Sequence, residues 1–560
     1  MKIICFLLIV ISFTAVKAQV VYEPLYKDVY IYLSRLSQKG LIEFDDQIKP
    51  VSKKYIAERL LEISSMEDKL TILEKEELAF YKKDYFSEIN FLSNPGDTLL
   101  NGKRGKVNIF GKDAAGRYRL LSYHDRLFKV NVSPILGYEK GTNASQSRTH
   151  SWSGVYFYGY LADKIGFSFD YRDNSEKGEN LDRKKYFTPE TGINVAYSKG
   201  NEIQYSEVRT TLATDWSWGS VMLGKDFLEW GYGESGKLVL SEKAPSFPFI
   251  RLDITPTNWF HFNYIHAWLN SDVIDSSEIY RSYRDNRSYE SYDRVIFRNK
   301  FLASHSMIFN PLKGLNITLG ESVVYSDKLE LAYLMPLMFF RLADHYLSQG
   351  NNNAGANSQF FLSVSSRNHI KNTHLYGTLY IDEITAGELF NSQKQRTQIG
   401  FTLGGSVADL PVNNLTMTLE FTKIYPFVYK HYIPTQTYAN SGYQLGHWMG
   451  DNADMFYGSL NYRFIRGLQA SVWGEHIRRG EYDPKEGVEL QYGPVQPPFL
   501  FGLRRSYTTG GVDIKYEIVH ELFARARYIH NDLSAELQNN SGVFTEKSSN
   551  ELYLSLFYGL

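Results

Sequence analysis

The chain has 560 residues, with 61 Lys and Arg against 62 Asp and Glu, and a net charge of −1 offers no basic footprint for nucleic acid. Its one cysteine, Cys5, lies in an apolar leader, which excludes disulfides, thiolate metal sites and a cysteine nucleophile from the remainder. Mean hydropathy is −0.34 and no later stretch approaches the ~18 uninterrupted apolar residues of a spanning helix, yet 15 % of residues are aromatic, a content natural for the girdles of a membrane barrel.

Residues 1–18 read as a signal peptide: Lys2, an apolar run from Ile3 to Ala15, then Val16-Lys17-Ala18 before Gln19. Cutting after Ala18 removes Lys2 and Lys17 and takes the net charge from −1 to −3. Residues 19–95 are expected to form a small helical bundle. Leu25, Val29, Leu33 and Leu36 share one helical face, and Gly40 follows as a stop. Ser52 caps a second helix through Ile56, Leu60 and Leu61, and a charged third helix covers about Met66 to Phe86 with Leu70, Leu73 and Leu78 on its buried side. The bundle either braces a larger body or docks to a partner. Residues 96–127 are transitional, with Gly102, Gly105 and Gly111 marking turns.

From residue 128 to 560 the pattern has period two. In Leu415 to Thr422, Leu415, Met417, Leu419 and Phe421 fall on one face and Thr416, Thr418, Glu420 and Thr422 on the other. Very short connections such as Asp163-Lys164, Trp218-Gly219 and Ile465-Arg-Gly467 alternate with long polar loops near 142–151, 175–206, 230–248, 271–292, 328–357, 385–396, 426–453, 479–509 and 533–549. A soluble sandwich has no reason to keep that asymmetry; an outer-membrane barrel, with short periplasmic turns and long external loops, does. The expectation is an all-β, antiparallel transmembrane barrel of about 18 strands, with both ends on the short-turn side. Alternation aims Leu375, Leu379 and Ile381 at lipid and Tyr376, Thr378, Tyr380 and Asp382 at the lumen; Gln469, Ser471, Trp473 and Glu475 line the lumen likewise. The last strand alternates to Leu560, because an open edge cannot be satisfied in lipid.

Four stretches carry a family likeness: Tyr30 to Leu61 with Gly40-Leu-Ile42 and Pro50; the Trp-Gly-rich run Trp230 to Ser241, with Pro245 and Pro248 behind it; Glu321 to Arg341 with Asn351 to Asn353 and the strand Leu375 to Asp382; and Leu445-Gly-His-Trp-Met-Gly450 with Asp451 and Asn452. In order and spacing they resemble the Wzi-type capsule assembly family, with Tyr232 where that family commonly has proline after Trp-Gly. The resemblance implies a barrel of about 18 strands with a periplasmic helical bundle, seated in the outer membrane, which holds capsular or exported polysaccharide in a lectin-like way and is not implied to cleave or synthesise sugar; no cofactor is expected.

The candidate ligand residues lie on loops. Tyr280, Tyr283 and Tyr289 offer rings to sugar faces, and Arg284 and Arg287 offer bidentate partners to uronic acids; the same loop also reads as locally packed and solvated. Trp230, His447 and Trp448 stand near the outer rim, as ligand contacts, girdle or plug residues. Asp382, Glu383, Glu475, Arg478 and Arg479 are expected to line the lumen, paired with one another. Asp344 and His345 suggest a loop folded into the pore, without the carboxylate spacing of a metal site. No Gly-x-Ser-x-Gly or His-Glu-x-x-His element appears, so the chain reads as a binding protein rather than an enzyme. A porin-like channel, or a barrel subunit of an export assembly docked through residues 22–95, is the alternative.

Overall fold

A computed structural model describes residues 20–93, 105, 107–125, 127–143, 146–179, 181–285, 288–348, 355–383, 398–483, 487, 489–491, 497–538 and 540–559. The leader with Cys5, the asparagines 351–353 and the terminal Leu560 therefore lie outside the described residues. Eighteen antiparallel strands close into a barrel. In chain order they are β1 Phe128–Asn143, β2 Gln146–Leu161, β3 Ile165–Gly178, β4 Glu202–Trp216, β5 Gly219–Asp226 and β6 Phe247–Thr257. There follow β7 Phe260–Ile274, β8 Phe297–Leu312, β9 Leu315–Ser326, β10 Asn357–Arg367, β11 Thr373–Glu383 and β12 Gln398–Ala408. The last six are β13 Leu415–Ile424, β14 Ala453–Ile465, β15 Leu468–Glu481, β16 Leu503–Val519, β17 Leu522–Leu537 and β18 Asn540–Tyr558. The seam closes from Glu551 opposite Asn143 to Tyr558 opposite Leu136. The hairpin Asn108–Lys112 with Tyr118–His124 extends the foot of β1.

Alternation is visible in the burial. On β13, Leu419 is 74 % exposed on the outer face while Thr418, Glu420 and Thr422 are buried inside. Each strand thus spends one face on an apolar belt and the other on the lumen. Two expected loops are corrected. Residues 142–151 and 533–549 are mostly the upper parts of β1–β2 and β17–β18, which stand taller than their neighbours. Above the apolar belt both strand faces are solvated, so Gln146-Ser-Arg-Thr-His-Ser151 loses the apolar half of its signal and reads as loop.

Among the described residues, four helices occupy the short-turn end: α1 Val29–Gln38, α2 Lys53–Ser64, α3 Ile72–Asp84 and α4 Phe86–Ser93. Ser52 Oγ accepts from the Tyr55 amide at 3.1 Å, and Thr71 with Glu74 forms a capping box on α3. The helices share a core of Leu33, Leu36, Ile56, Leu60 and Leu78. The bundle is seated on the barrel by ion pairs: Arg367–Asp46 at 2.7 Å, Lys54–Asp215 at 2.7 Å, Lys515–Asp28 at 2.7 Å, Lys27–Glu521 at 3.2 Å, and Arg35–Asp409 and Arg463–Glu77.

The lumen is filled from both ends. Loops 227–246 and 425–452 fold inward, and Trp230, Leu238, Val239, Tyr429, Tyr438 and Leu445 join inward residues such as Tyr380 in one buried cluster. Tyr22 and Ile48 reach the same cluster from the bundle side. The two plugs then pair as a short ladder, Ile48 opposite Trp230 and Lys49 opposite Glu229. The Gly231 amide donates to the Gln47 carbonyl at 3.0 Å, and Lys49–Glu229 close a 2.8 Å ion pair.

The loop at 328–357 does not enter the pore as expected. Its helix α5, Phe340–Ser348, packs with Tyr264, Phe301, Val323 and Tyr325, which project from the outer face of β7–β9.

Candidate functional site

Along β5–β13 the inward residues, including Met222, Phe249, Ile265, Leu302, Val324 and Ile424, are sealed under the plug. Along β15–β18 and β1–β4, toward the long-loop end, many inward side chains stay half-buried: Trp473, Glu475, Arg505, Tyr507, Arg527, Arg148, His150, Trp152 and Tyr205. This half-open vestibule has the plug for a floor and the tall strands for a wall.

Its aromatic rings are set by glycines on the facing strand. Trp152 lies opposite Gly137, Tyr553 opposite Gly141 and Trp473 opposite Gly511. A Cβ on Gly137 would stand 2.0 Å from the Trp152 ring, and one on Gly511 2.7 Å from Trp473. The missing side chain lets each ring cross over the neighbouring strand, the aromatic rescue of a sheet glycine.

Several charges on the wall have partners. Arg148 and Arg527 stand 5.1 and 5.2 Å from the Tyr553 ring centre, and Arg527 approaches Glu139 at 4.0 Å. Tyr205 donates to Glu176 at 2.7 Å, which also takes Lys185 at 2.7 Å. Lys185 and Phe187 come from the loop between β3 and β4. Phe187 packs 4.8 Å from Tyr507 and 5.4 Å from Trp448, with the Arg479 guanidinium 4.7 Å from its ring, and so ties wall to plug. Lys243 holds the same loop down by donating to the carbonyls of Lys185, Thr188 and Glu190 at 2.5, 2.8 and 2.8 Å. Burial lowers the Lys243 ammonium to about 8. Burial raises Glu190, but Lys185 at 2.8 Å outweighs it and holds the carboxyl at about 2.

The residues singled out in the sequence fall into three groups. Tyr376, Tyr380, Asp382, Trp473 and Glu475 sit on the lumen face, where Asp382 accepts the Tyr429 amide at 2.8 Å and Tyr376 donates to Glu420 at 2.6 Å. Arg479 is inward too, whereas Arg478 projects outward and pairs with Asp454 at 2.5 Å, because neighbouring residues of a strand cannot share a face. The Glu383 side chain lies outside the described residues.

Trp230, His447 and Trp448 are plug residues rather than rim contacts. Trp230 and His447 are fully buried, and Trp448 donates its indole N–H to the Ser235 carbonyl at 2.7 Å. The His447 ring occupies the space left by Gly236, and burial, with Lys237 nearby, lowers its imidazole to about 3.

The tyrosine-rich loop is a hairpin, Tyr280–Asp285 paired with Ser288–Arg294, projecting beyond β7 and β8. Tyr280 is half-exposed, with the Arg294 guanidinium 5.9 Å from its ring centre. Tyr283, Arg284 and Tyr289 lie on the hairpin backbone with side chains outside the described residues, and Arg287 is outside them altogether. Sequence reasoning missed Arg148, His150, Trp152, Arg527 and Tyr553; their shared parity on β2, β17 and β18 was the available signal.

A family model described as capsule assembly protein Wzi matches residues 165–543. Among solved structures, the chain is similar to the Escherichia coli outer membrane protein Wzi, described as a carbohydrate-binding β-barrel involved in group 1 capsule assembly. That match has 12 % identity and a TM-score of 0.54 over 97 % of this chain and 100 % of that one. Pseudomonas aeruginosa OprD matches at 11 % identity and a TM-score of 0.40 over 77 % of this chain and 95 % of that one. Acinetobacter baumannii OccAB2 matches at 12 % and 0.42 over 78 % and 99 %. No curated protein sequence matches the chain.

Proposed function

This chain belongs to the Wzi capsule assembly family of outer-membrane proteins, and from that premise we propose that it holds polysaccharide at the cell surface in the vestibule above its plug. The half-open lumen face carries the reading: rings laid over Gly137, Gly141 and Gly511 share it with Arg148 and Arg527, which flank the Tyr553 ring, above a floor that blocks passage. Flat rings complement the apolar faces of sugars, and guanidinium groups complement their hydroxyls and carboxylates. The description of the E. coli relative as a carbohydrate-binding barrel supports the same ligand class.

In this reading the bundle faces the periplasm and the long loops face the outside, as short periplasmic turns imply. The hairpin strands Tyr280–Asp285 and Ser288–Arg294 supply an outer fringe, with Tyr280 half-exposed on it. The protein binds rather than cleaves. His447, neutral and enclosed, faces no space in which a substrate could meet a base.

Surface polysaccharide retained by cells is the test. A deletion strain is expected to shed its polymer into the medium, and a strain with Trp473→Ala, Arg527→Ala and Tyr280→Ala together is expected to retain at least threefold less than wild type. A deletion that leaves surface polysaccharide unchanged overturns the proposal.

A further inference from the structure

The outer wall of β7–β9 carries a polar row where a barrel should be apolar. Tyr264, His305 and Glu321 are directly opposite one another in the ladder and point away from the lumen. Followed sideways, the same row is apolar: Leu252 and Val221 on one side, Phe360, Ile381 and Ile399 on the other. The row therefore lies at the level of the apolar belt, and one step nearer the short-turn end Leu319 and Met307 are exposed, like the rest of that belt. A bare carboxylate, imidazole and phenol at that depth would cost several kcal/mol.

They are not bare, because the segment 330–348 lies over them. Glu321 accepts the amides of Phe340 and Arg341 at 2.8 and 2.6 Å, filling the open N-terminus of α5. Tyr264 donates to the Tyr333 carbonyl at 2.7 Å, and the His305 ring lies 4.5 Å from Phe340. The strap also bonds turns of its own, the amides of Tyr333, Met335, Met338 and Ala343 donating to the carbonyls of Glu330, Ala332, Met335 and Phe339, while Pro336 has no amide to satisfy. Irregular backbone at membrane depth is tolerated where it is buried against protein, and these bonds fasten the inner side of the strap to the wall. Its free side is apolar over residues 331–339, while Arg341, 59 % exposed and paired with Asp344 at 3.3 Å, and His345 and Tyr346 are exposed on α5 beyond it. Leu337 is 85 % exposed, and Leu331, Met335, Phe339 and Leu342 are also open, continuous with Leu319 and Met307 on the belt below.

We propose that residues 330–348 form a re-entrant strap whose outer side is immersed in lipid acyl chains, in the leaflet on the long-loop side. Glu321 anchors it, and Leu337 is its deepest contact with lipid. The wall's polar row and the strap's backbone satisfy each other, so the pair presents hydrocarbon to hydrocarbon.

The test places one cysteine at a time on the full chain in a Cys5→Ser background, attaches bimane, and reconstitutes the protein into phosphatidylcholine vesicles with brominated acyl chains. Quenching at Leu337→Cys is expected to come within twofold of that at Leu419→Cys on the bare belt. It should exceed that at Lys199→Cys on the loop before β4 at least threefold. Quenching at 337 no greater than at 199 overturns the proposal. So does protection that fades as protein is diluted in lipid, which would make a second copy the occupant. Adding Glu321→Ala is expected to lower quenching at 337 at least twofold and leave 419 unchanged; no change at 337 removes Glu321 as the anchor.

Discussion

Gly511 and Trp473 show how much one residue decides about what the vestibule presents. The ring crosses the neighbouring strand only because position 511 has no side chain, with 2.7 Å between the place of a Cβ and the indole. A valine there overpacks the site, a strain of about 1–3 kcal/mol that the ring relieves by swinging away. Gly511→Val is therefore expected to weaken polymer binding to within twofold of Trp473→Ala, with unchanged circular dichroism and heat-modifiable gel mobility. Full binding by Gly511→Val would show that the pose of Trp473 is immaterial. The inward placement of Trp473, Glu475, Tyr376, Tyr380 and Asp382 was legible because a strand has one period and two faces. The burial of Trp230 and His447 was not. Both sit in irregular loops with no period, and only their long-range partners, Ile48 and Gly236, locate them.

At the scale of elements, three of the carboxylates that hold the bundle favour charge. Burial raises Asp46, Asp409 and Glu521, yet Arg367, Arg35 and Lys27 respectively outweigh it and leave all three below the usual carboxylate range. A depressed carboxylate contributes stability above its unfolded value, near 4, and loses it as pH falls through the folded value. Bundle docking should thus be unchanged between pH 7 and pH 5 and release only below about pH 4. Trypsin cleavage within residues 53–84 of the reconstituted protein, after a brief pulse at each pH, reads this directly; release centred near pH 6 would assign the hold to histidines instead. The start of α2 was visible in the sequence because Ser52 acts within three residues, whereas the third helix, expected from about Met66, begins at Ile72 behind the Thr71 cap. The docking partners were not visible, since Asp46 meets Arg367 across 321 positions. The strap escaped for a related reason: α5 carries an apolar stripe, and a stripe does not say whether its partner wall is the inside or the outside of a barrel.

For the whole molecule, closure by strands and closure of the lumen are separate matters. An 18-stranded barrel of this kind is wide enough for an aqueous channel when nothing enters it, as in porins of 16–18 strands. Here one plug arrives from the bundle and the other from loops 227–246 and 425–452, and they join through Ile48–Trp230 and the Gly231–Gln47 hydrogen bond. Tyr22 and Ile48 join the loop plug's cluster, but Leu238, Tyr429, Tyr438 and Leu445 also pack among themselves and on the wall, while Leu33, Ile56 and Leu78 form the bundle's own centre. The intact protein in planar bilayers is therefore expected to show no steady conductance. Removing residues 20–93 is expected to leave the loop plug in place and current near baseline. Replacing 229–243 and 428–448 with short Gly-Ser linkers in that truncated chain should give large, stable steps. Steady conductance from the intact protein would mean that the two plugs part in the membrane, and the barrel would then be a gated channel rather than a closed platform for binding.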